Sequence, residues 1–110
     1  MEKLRIYQKA LELVKEIYLL IRNSPQLSKD HSLNDQLKRA SISIALNIAE
    51  GYCRSKKHFQ NYLQISSGSA NETVAILHII NLVYGINTSL LQEEFKILGK
   101  QINAFSKTIK

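Results

Sequence analysis

The sequence has one cysteine, one proline, no tryptophan and only four glycines among 110 residues. A lone thiol, Cys53, cannot form an internal disulfide, which excludes a disulfide scaffold and suits a reducing compartment. With so few breakers, helices can run long. No stretch reaches the roughly 18 apolar residues that a membrane span needs. The opening MEKLRIYQKA interleaves Glu2, Lys3, Arg5 and Lys9 with apolar residues and lacks the continuous apolar centre of a secretion signal. A cytoplasmic location with no membrane partner is the expectation. There is no Gly-rich phosphate loop and there are no paired cysteines. His31, His58 and His78 fall on separate segments, without the three- or four-residue spacing of helical metal ligands, so no metal or other cofactor is expected. Cys53 and His58 lie five apart with no third group placed to orient a base. No catalytic residue is assigned, and an enzyme would need a deep pocket lined by titratable groups.

What is present is apolar material and positive charge. Hydrophobic residues make up 45% of the chain, enough for one core, so residues 1–110 read as one domain. A domain of this size buries about two-thirds of its unfolded surface and gains from association. Fifteen Lys and Arg against nine Asp and Glu give a net charge of +6, a balance that favours polyanions.

The apolar residues recur at helical spacing throughout. From about Leu4 to Asn23, Tyr7, Val14 and Ile21 repeat every seven residues, and Ile6, Leu13 and Leu20 widen the stripe beyond what one neighbour requires. Ser24-Pro25 ends that helix, and a polar loop runs to His31. Ser32, with Asp35 three residues on, reads as the cap of a second helix to about Tyr52. That helix carries Leu33, Leu37, Ala40, Ile44 and Ile48 on one face, with Ile42, Leu46 and Ala49 as a second flank. Gly51 either starts the following loop or lies in the last turn. A third helix runs from Ser55 or Lys56 to about Tyr84. Its middle, Ser66 to Ala70, is either a loop or a close helix crossing. The unbroken apolar phase favours the crossing. Gly85 closes it, Thr88 or Ser89 caps the fourth helix, and Ser89 with Gln92 has capping-box spacing. No strand pattern competes. Four helices on short loops predict an all-α, antiparallel up-and-down four-helix bundle.

Two clusters carry the functional expectation. Arg39, Ser43, Asn47, Glu50 and Arg54 share one stripe along the second helix. Across an antiparallel hairpin, Arg39 would approach Glu72, Ser43 would face Ser66 and Asn47 would face Tyr62. The stripe, with Ser69 and Glu72 opposite, is either a structural polar seam that fixes register or a binding surface, and for Arg39 the two stay open. The second cluster is Arg54, Lys56 and Lys57 beside His58, Tyr52 and Phe59, in the turn between the second and third helices. It is either a solvated loop or a phosphate grip. In an up-and-down bundle Lys3 and Arg5 fall at the same end. Arg22, Lys29 and Lys38 make the far end basic too.

The run Gln36 to Gly51, with its Arg-Ala, Ser and Asn-Ile-Ala-Glu-Gly elements, resembles the signature of the bacterial four-helix-bundle proteins encoded in intervening sequences of 23S rRNA genes. Phe59, Tyr62-Leu63, Ile65, Gly68-Ser69 and Glu72 resemble that family's second signature, and Leu4 with Tyr7 to Ala10 its usual start. The resemblance spans nearly the whole chain and is weakest after Gly85. It implies a left-handed bundle that assembles into a ring, typically a homopentamer. It also implies a fold similar to that of diversity-generating retroelement accessory proteins, which associate with a reverse transcriptase and with nucleic acid. Ser67 stands where a basic residue is common in the family, which weakens a nucleic-acid contact there.

The reading that follows is a non-enzymatic oligomer that associates with RNA, or with DNA, through Lys3, Arg5, Lys38, Arg54, Lys56 and Lys57. The alternative is a protein–protein adaptor or scaffold ring with no nucleic-acid role.

Overall fold

A computed structural model describes residues 1–109. Five helices follow in order: α1 (Glu2–Arg22), α2 (Pro25–Lys29), α3 (His31–Tyr52), α4 (Lys56–Tyr84) and α5 (Ser89–Ser106). The described residues contain no strand. The four long helices pack as neighbours in the cyclic order α1, α3, α4, α5, each antiparallel to the next, which is the up-and-down bundle. At about 1.5 Å per residue, the 29 residues of α4 span about 43 Å, close to the 45 Å long axis of the molecule.

The core follows from the spacing of apolar residues. On α1 the fully buried line is Ile6, Ala10, Leu13 and Ile17, continuing to Ile21. It is rotated from the seven-residue repeat of Tyr7, Val14 and Ile21. Tyr7 and Val14 are half-buried, and Leu11 and Tyr18 face out. A helix in a bundle corner buries the bisector of its two contacts, so the broad stripe hid which line would be central. Leu37, Ala40, Ile44 and Ile48 of α3 meet Leu63, Ala70, Leu77 and Ile80 of α4, and Phe95, Leu98 and Ile102 of α5 close the fourth side.

The stretch Ser66 to Ala70 is a crossing, and α4 passes through it unbroken. The Ser66 hydroxyl donates to the Ile44 carbonyl of α3 at 2.7 Å, and the Ser67 hydroxyl donates to the Gly99 carbonyl of α5 at 3.1 Å. A Cβ on Gly99 would sit 3.2 Å from the Ala70 Cβ. Small side chains therefore seat α4 against both neighbours, and their hydroxyls find partners inside the contact.

Three local expectations are corrected. The loop after Ser24 contains α2. Pro25 at its first position is pre-set for a helical turn, Leu27 is fully buried, and the Ser28 hydroxyl bonds the Ile21 carbonyl. The cap of α3 is Asp30, whose carboxylate accepts from the Leu33 N–H at 3.1 Å; Ser32 lies inside the first turn. At α5 the Ser89–Gln92 box does not form. Gln92 donates to the Thr88 hydroxyl at 3.0 Å, which itself donates to the Leu77 carbonyl at 2.7 Å, and Asn87 accepts from the Ser89 N–H at 3.1 Å. Gly51 belongs to the last turn of α3, which ends at Cys53 without a left-handed residue. Gly85 does end α4 at φ +68°, the conformation that favours glycine.

Candidate nucleic-acid interface

At one end of the bundle the start of α1, the α3–α4 turn and the finish of α5 come together. Gly51 lets this happen. A Cβ placed there would lie 2.6 Å from the Tyr62 Cβ, so only glycine allows α3 and α4 to close at the hairpin. Ser55 then starts α4, accepting from the His58 N–H at 3.4 Å and bonding His58 Nδ1 at 2.9 Å. Phe59 packs edge-on to Tyr52, with centroids 6.2 Å apart, and to Phe105 of α5 at 6.0 Å. Gln60 donates to the Ser106 carbonyl at 2.8 Å, fixing the end of α5 against the first turns of α4.

These anchors present the basic residues. The Lys3 ammonium lies 4.0 Å from the centre of the Tyr52 ring. Arg54, Lys56 and Lys57 are exposed in and beside the turn. Lys3, Tyr52, Arg54 and Lys56 line one shallow groove of about 430 Å³, floored by Phe59 and Phe105. Arg54 lies 3.4 Å from Glu50 and Arg5 lies 3.6 Å from Glu2, both exposed pairs that water weakens. Among the described residues, Lys3, Lys56 and Lys57 have no carboxylate within 4.0 Å. Sequence reasoning missed Lys107, which the antiparallel run of α5 brings to this end; the signal was its place just past Phe105. Lys38 stands apart, with its ammonium 5.3 Å from the centre of the Tyr18 ring.

The stripe on α3 divides. Ser43 and Ser69 share a hydrogen bond of 3.0 Å between α3 and α4, and Asn47 donates to the Ser43 hydroxyl at 2.9 Å and to its carbonyl at 2.8 Å. Ser43 thus meets Ser69 and not Ser66, whose hydroxyl bonds the Ile44 carbonyl: the register in which α3 and α4 close sets the pairing. Tyr62 packs against Gly51, one turn beyond Asn47. Glu50 lies past the network, beside Arg54. Arg39 and Glu72 are both exposed and border a groove of about 470 Å³ without coming within ion-pair distance of each other. Among the described residues, no three His, Cys, Asp or Glu side chains converge, and Cys53 is exposed.

Four long antiparallel helices, small residues at their crossing and a cationic turn define the class: a small all-α bundle protein. The family model for 23S rRNA-intervening sequence protein matches residues 2–110, and the chain belongs to that family. It is similar to a protein of unknown function from the S23 ribosomal protein family of Bacteroides thetaiotaomicron, whose crystal structure is 26% identical in sequence with a TM-score of 0.78, covering 98% of this chain and 96% of that one. No curated protein matches the chain. Among the described residues, no helix is long and apolar enough to cross a membrane.

Proposed function

We propose that this protein is a non-catalytic, self-associating RNA-binding protein whose turn end grips phosphates. The carrying observation is the convergence of Lys3, Arg54, Lys56 and Lys57 on one exposed end, with three of the four, among the described residues, free of any carboxylate within 4.0 Å. Such a cluster neutralises backbone phosphates and releases counterions, without reading bases by hydrogen bonds. Self-association, as a ring of five in keeping with the family resemblance, is supported by apolar side chains outside the core. Leu46 is 61% exposed, and Leu11 and Tyr18 also face out.

The affinity for RNA should fall with salt, with a log–log slope of about −0.7 to −0.9 per contacted phosphate. Replacing Arg54, Lys56 and Lys57 together with Gln should flatten that slope, read by fluorescence anisotropy across a salt series. An unchanged slope in the triple variant refutes the phosphate grip. Light-scattering mass in solution tests the ring. The scaffold reading draws on the same exposed Leu46, and is favoured if the protein carries a partner that survives nuclease treatment.

A further inference from the structure

Tyr52 ends α3 in the middle of the basic end and leaves 55% of its surface exposed. It stands between two depressions. On the turn side is the basic groove with Arg54 and Lys56. On the α1 side is an apolar slot of about 390 Å³, walled by Leu4 and Tyr7 of α1 and by Ile48, Ala49 and Tyr52 of α3. Met1 also lines the slot; Lys3 borders both depressions and, among the described residues, is the only charged side chain on the slot. Among the described residues, no carboxylate side chain lines either depression.

We infer that the slot takes the base of an unpaired nucleotide, stacked on or edged against Tyr52, while Lys3, Arg54 and Lys56 hold the adjoining phosphates. The inference rests on the RNA-binding reading and narrows it to single strands. A nucleobase is a flat apolar surface attached to an anion, and here an apolar slot adjoins cations with no acidic side chain of the described residues on its rim. A duplex keeps its bases stacked inside and offers the protein only phosphates and groove edges, so it cannot fill the slot. An apolar peptide side chain would fit the slot but would leave the cations beside it unanswered. In the free protein the Lys3 ammonium rests over the Tyr52 ring at 4.0 Å. On binding, it exchanges the ring for a phosphate, which frees the ring face for the base. The walls offer few polar atoms, so the contact tolerates any base.

The test compares three probes by anisotropy: a short single-stranded RNA, the same RNA as a duplex, and a strand of equal length and charge built from abasic units. The full chain should bind the base-bearing strand best. Tyr52→Ala should weaken that strand roughly 5- to 150-fold, the range of base–aromatic stacking, while leaving the abasic strand, the duplex and the salt slope unchanged. Tyr52→Phe keeps the ring and should keep the affinity. Ala49→Leu fills the slot from an exposed helical position without altering charge, and should reproduce the selective loss if Tyr52→Ala folds poorly. The chain has no tryptophan and five tyrosines, so binding should also quench tyrosine emission, less so in Tyr52→Phe. If neither Tyr52→Ala nor Ala49→Leu changes the ratio of base-bearing to abasic binding, while the Arg54, Lys56 and Lys57 variant still weakens all probes, the slot is overturned and the phosphate grip stands. If no probe binds even at low salt, both fall.

Discussion

The two ends of the bundle use their polar residues in opposite ways. At the α2 end, hydrogen-bonding side chains turn inward and hold chain reversals. Buried Asn34 donates to the Leu27 and Ser28 carbonyls at 3.0 and 3.2 Å. Asp30 caps α3 and accepts from the Tyr84 hydroxyl at 2.7 Å. Asn81 donates to the Ile86 carbonyl and Thr88 to the Leu77 carbonyl. Arg22 and Lys29 are basic and exposed there, and among the described residues neither has a carboxylate within 4.0 Å; Asp30 is engaged by the Leu33 N–H and the Tyr84 hydroxyl instead. At the turn end, Arg54, Lys56 and Lys57 face water, and the reversal is held by Gly51 and a line of aromatic rings. Both ends are therefore basic, as the sequence implies, and what separates them is the buried hydrogen bonding of the α2 end. A buried side chain that satisfies a carbonyl stabilises the fold and has nothing left for a ligand, whereas an exposed cation, even one weakly paired as Arg54 is to Glu50, does little for the fold and can be recruited by a ligand.

The sharpest way to break this contrast is at Asn34. Asn34→Asp replaces a donor with a carboxylate aimed at two carbonyl oxygens in a site that is 3% exposed. An uncompensated buried charge of this kind should cost about 3–5 kcal/mol near neutral pH, read as a lower denaturant midpoint. The triple Gln variant of the turn, by contrast, should stay within about 0.5 kcal/mol of the parent while losing RNA affinity. Equal losses of stability from both variants would dissolve the distinction between a locked end and an open one.

Gly51 is the point at which the open end becomes structural. Gly51→Ala should cost about 1–3 kcal/mol by forcing apart α3 and α4, since the atom it meets is the Tyr62 Cβ, which no rotamer change can move. A variant as stable as the parent would mean that the hairpin closes without this contact.

The long elements were legible because each repeats its apolar residues over many turns, as Leu63, Ala70 and Leu77 do along α4. Their partners were harder to read. The seam was placed about three residues out, Ser43 meeting Ser69, because register depends on where Gly51 allows the hairpin to close, and that is a distance and not a pattern. Helix α2 was hidden because five residues are too few to show a period, and only Leu27 betrays its buried side. In the candidate interface, Arg54, Lys56 and Lys57 were visible as a charge run and Lys3 joined them through topology. The slot beside Tyr52 was not visible, because Leu4, Tyr7 and Ala49 become one surface only when α1 lies against α3.

The smallest expected effect concerns the Asp30–Tyr84 bond, and it tests whether the locked end is held by charge as well as by shape. The Tyr84 hydroxyl, and after it the Leu33 N–H, hold the Asp30 carboxyl below its ordinary value of 3.8. The same bond raises the Tyr84 phenol above its ordinary value of 10.0. A depressed carboxyl contributes stability above the unfolded value and loses it as pH falls through the folded one. A raised phenol contributes while protonated and loses its share as pH climbs past 10.0. The bond therefore operates across the whole neutral range, with one limb in acid and one in alkali. Tyr84→Phe should move the acid limb to higher pH, because only the Leu33 N–H then favours the carboxylate, and should remove this bond's alkaline limb. Thermal melts of parent and variant from acid to alkali should diverge through the neutral plateau and converge at both extremes. Curves that run parallel at every pH would show that Tyr84 supports this end by packing alone, and that Asp30 acts there only as the cap of α3.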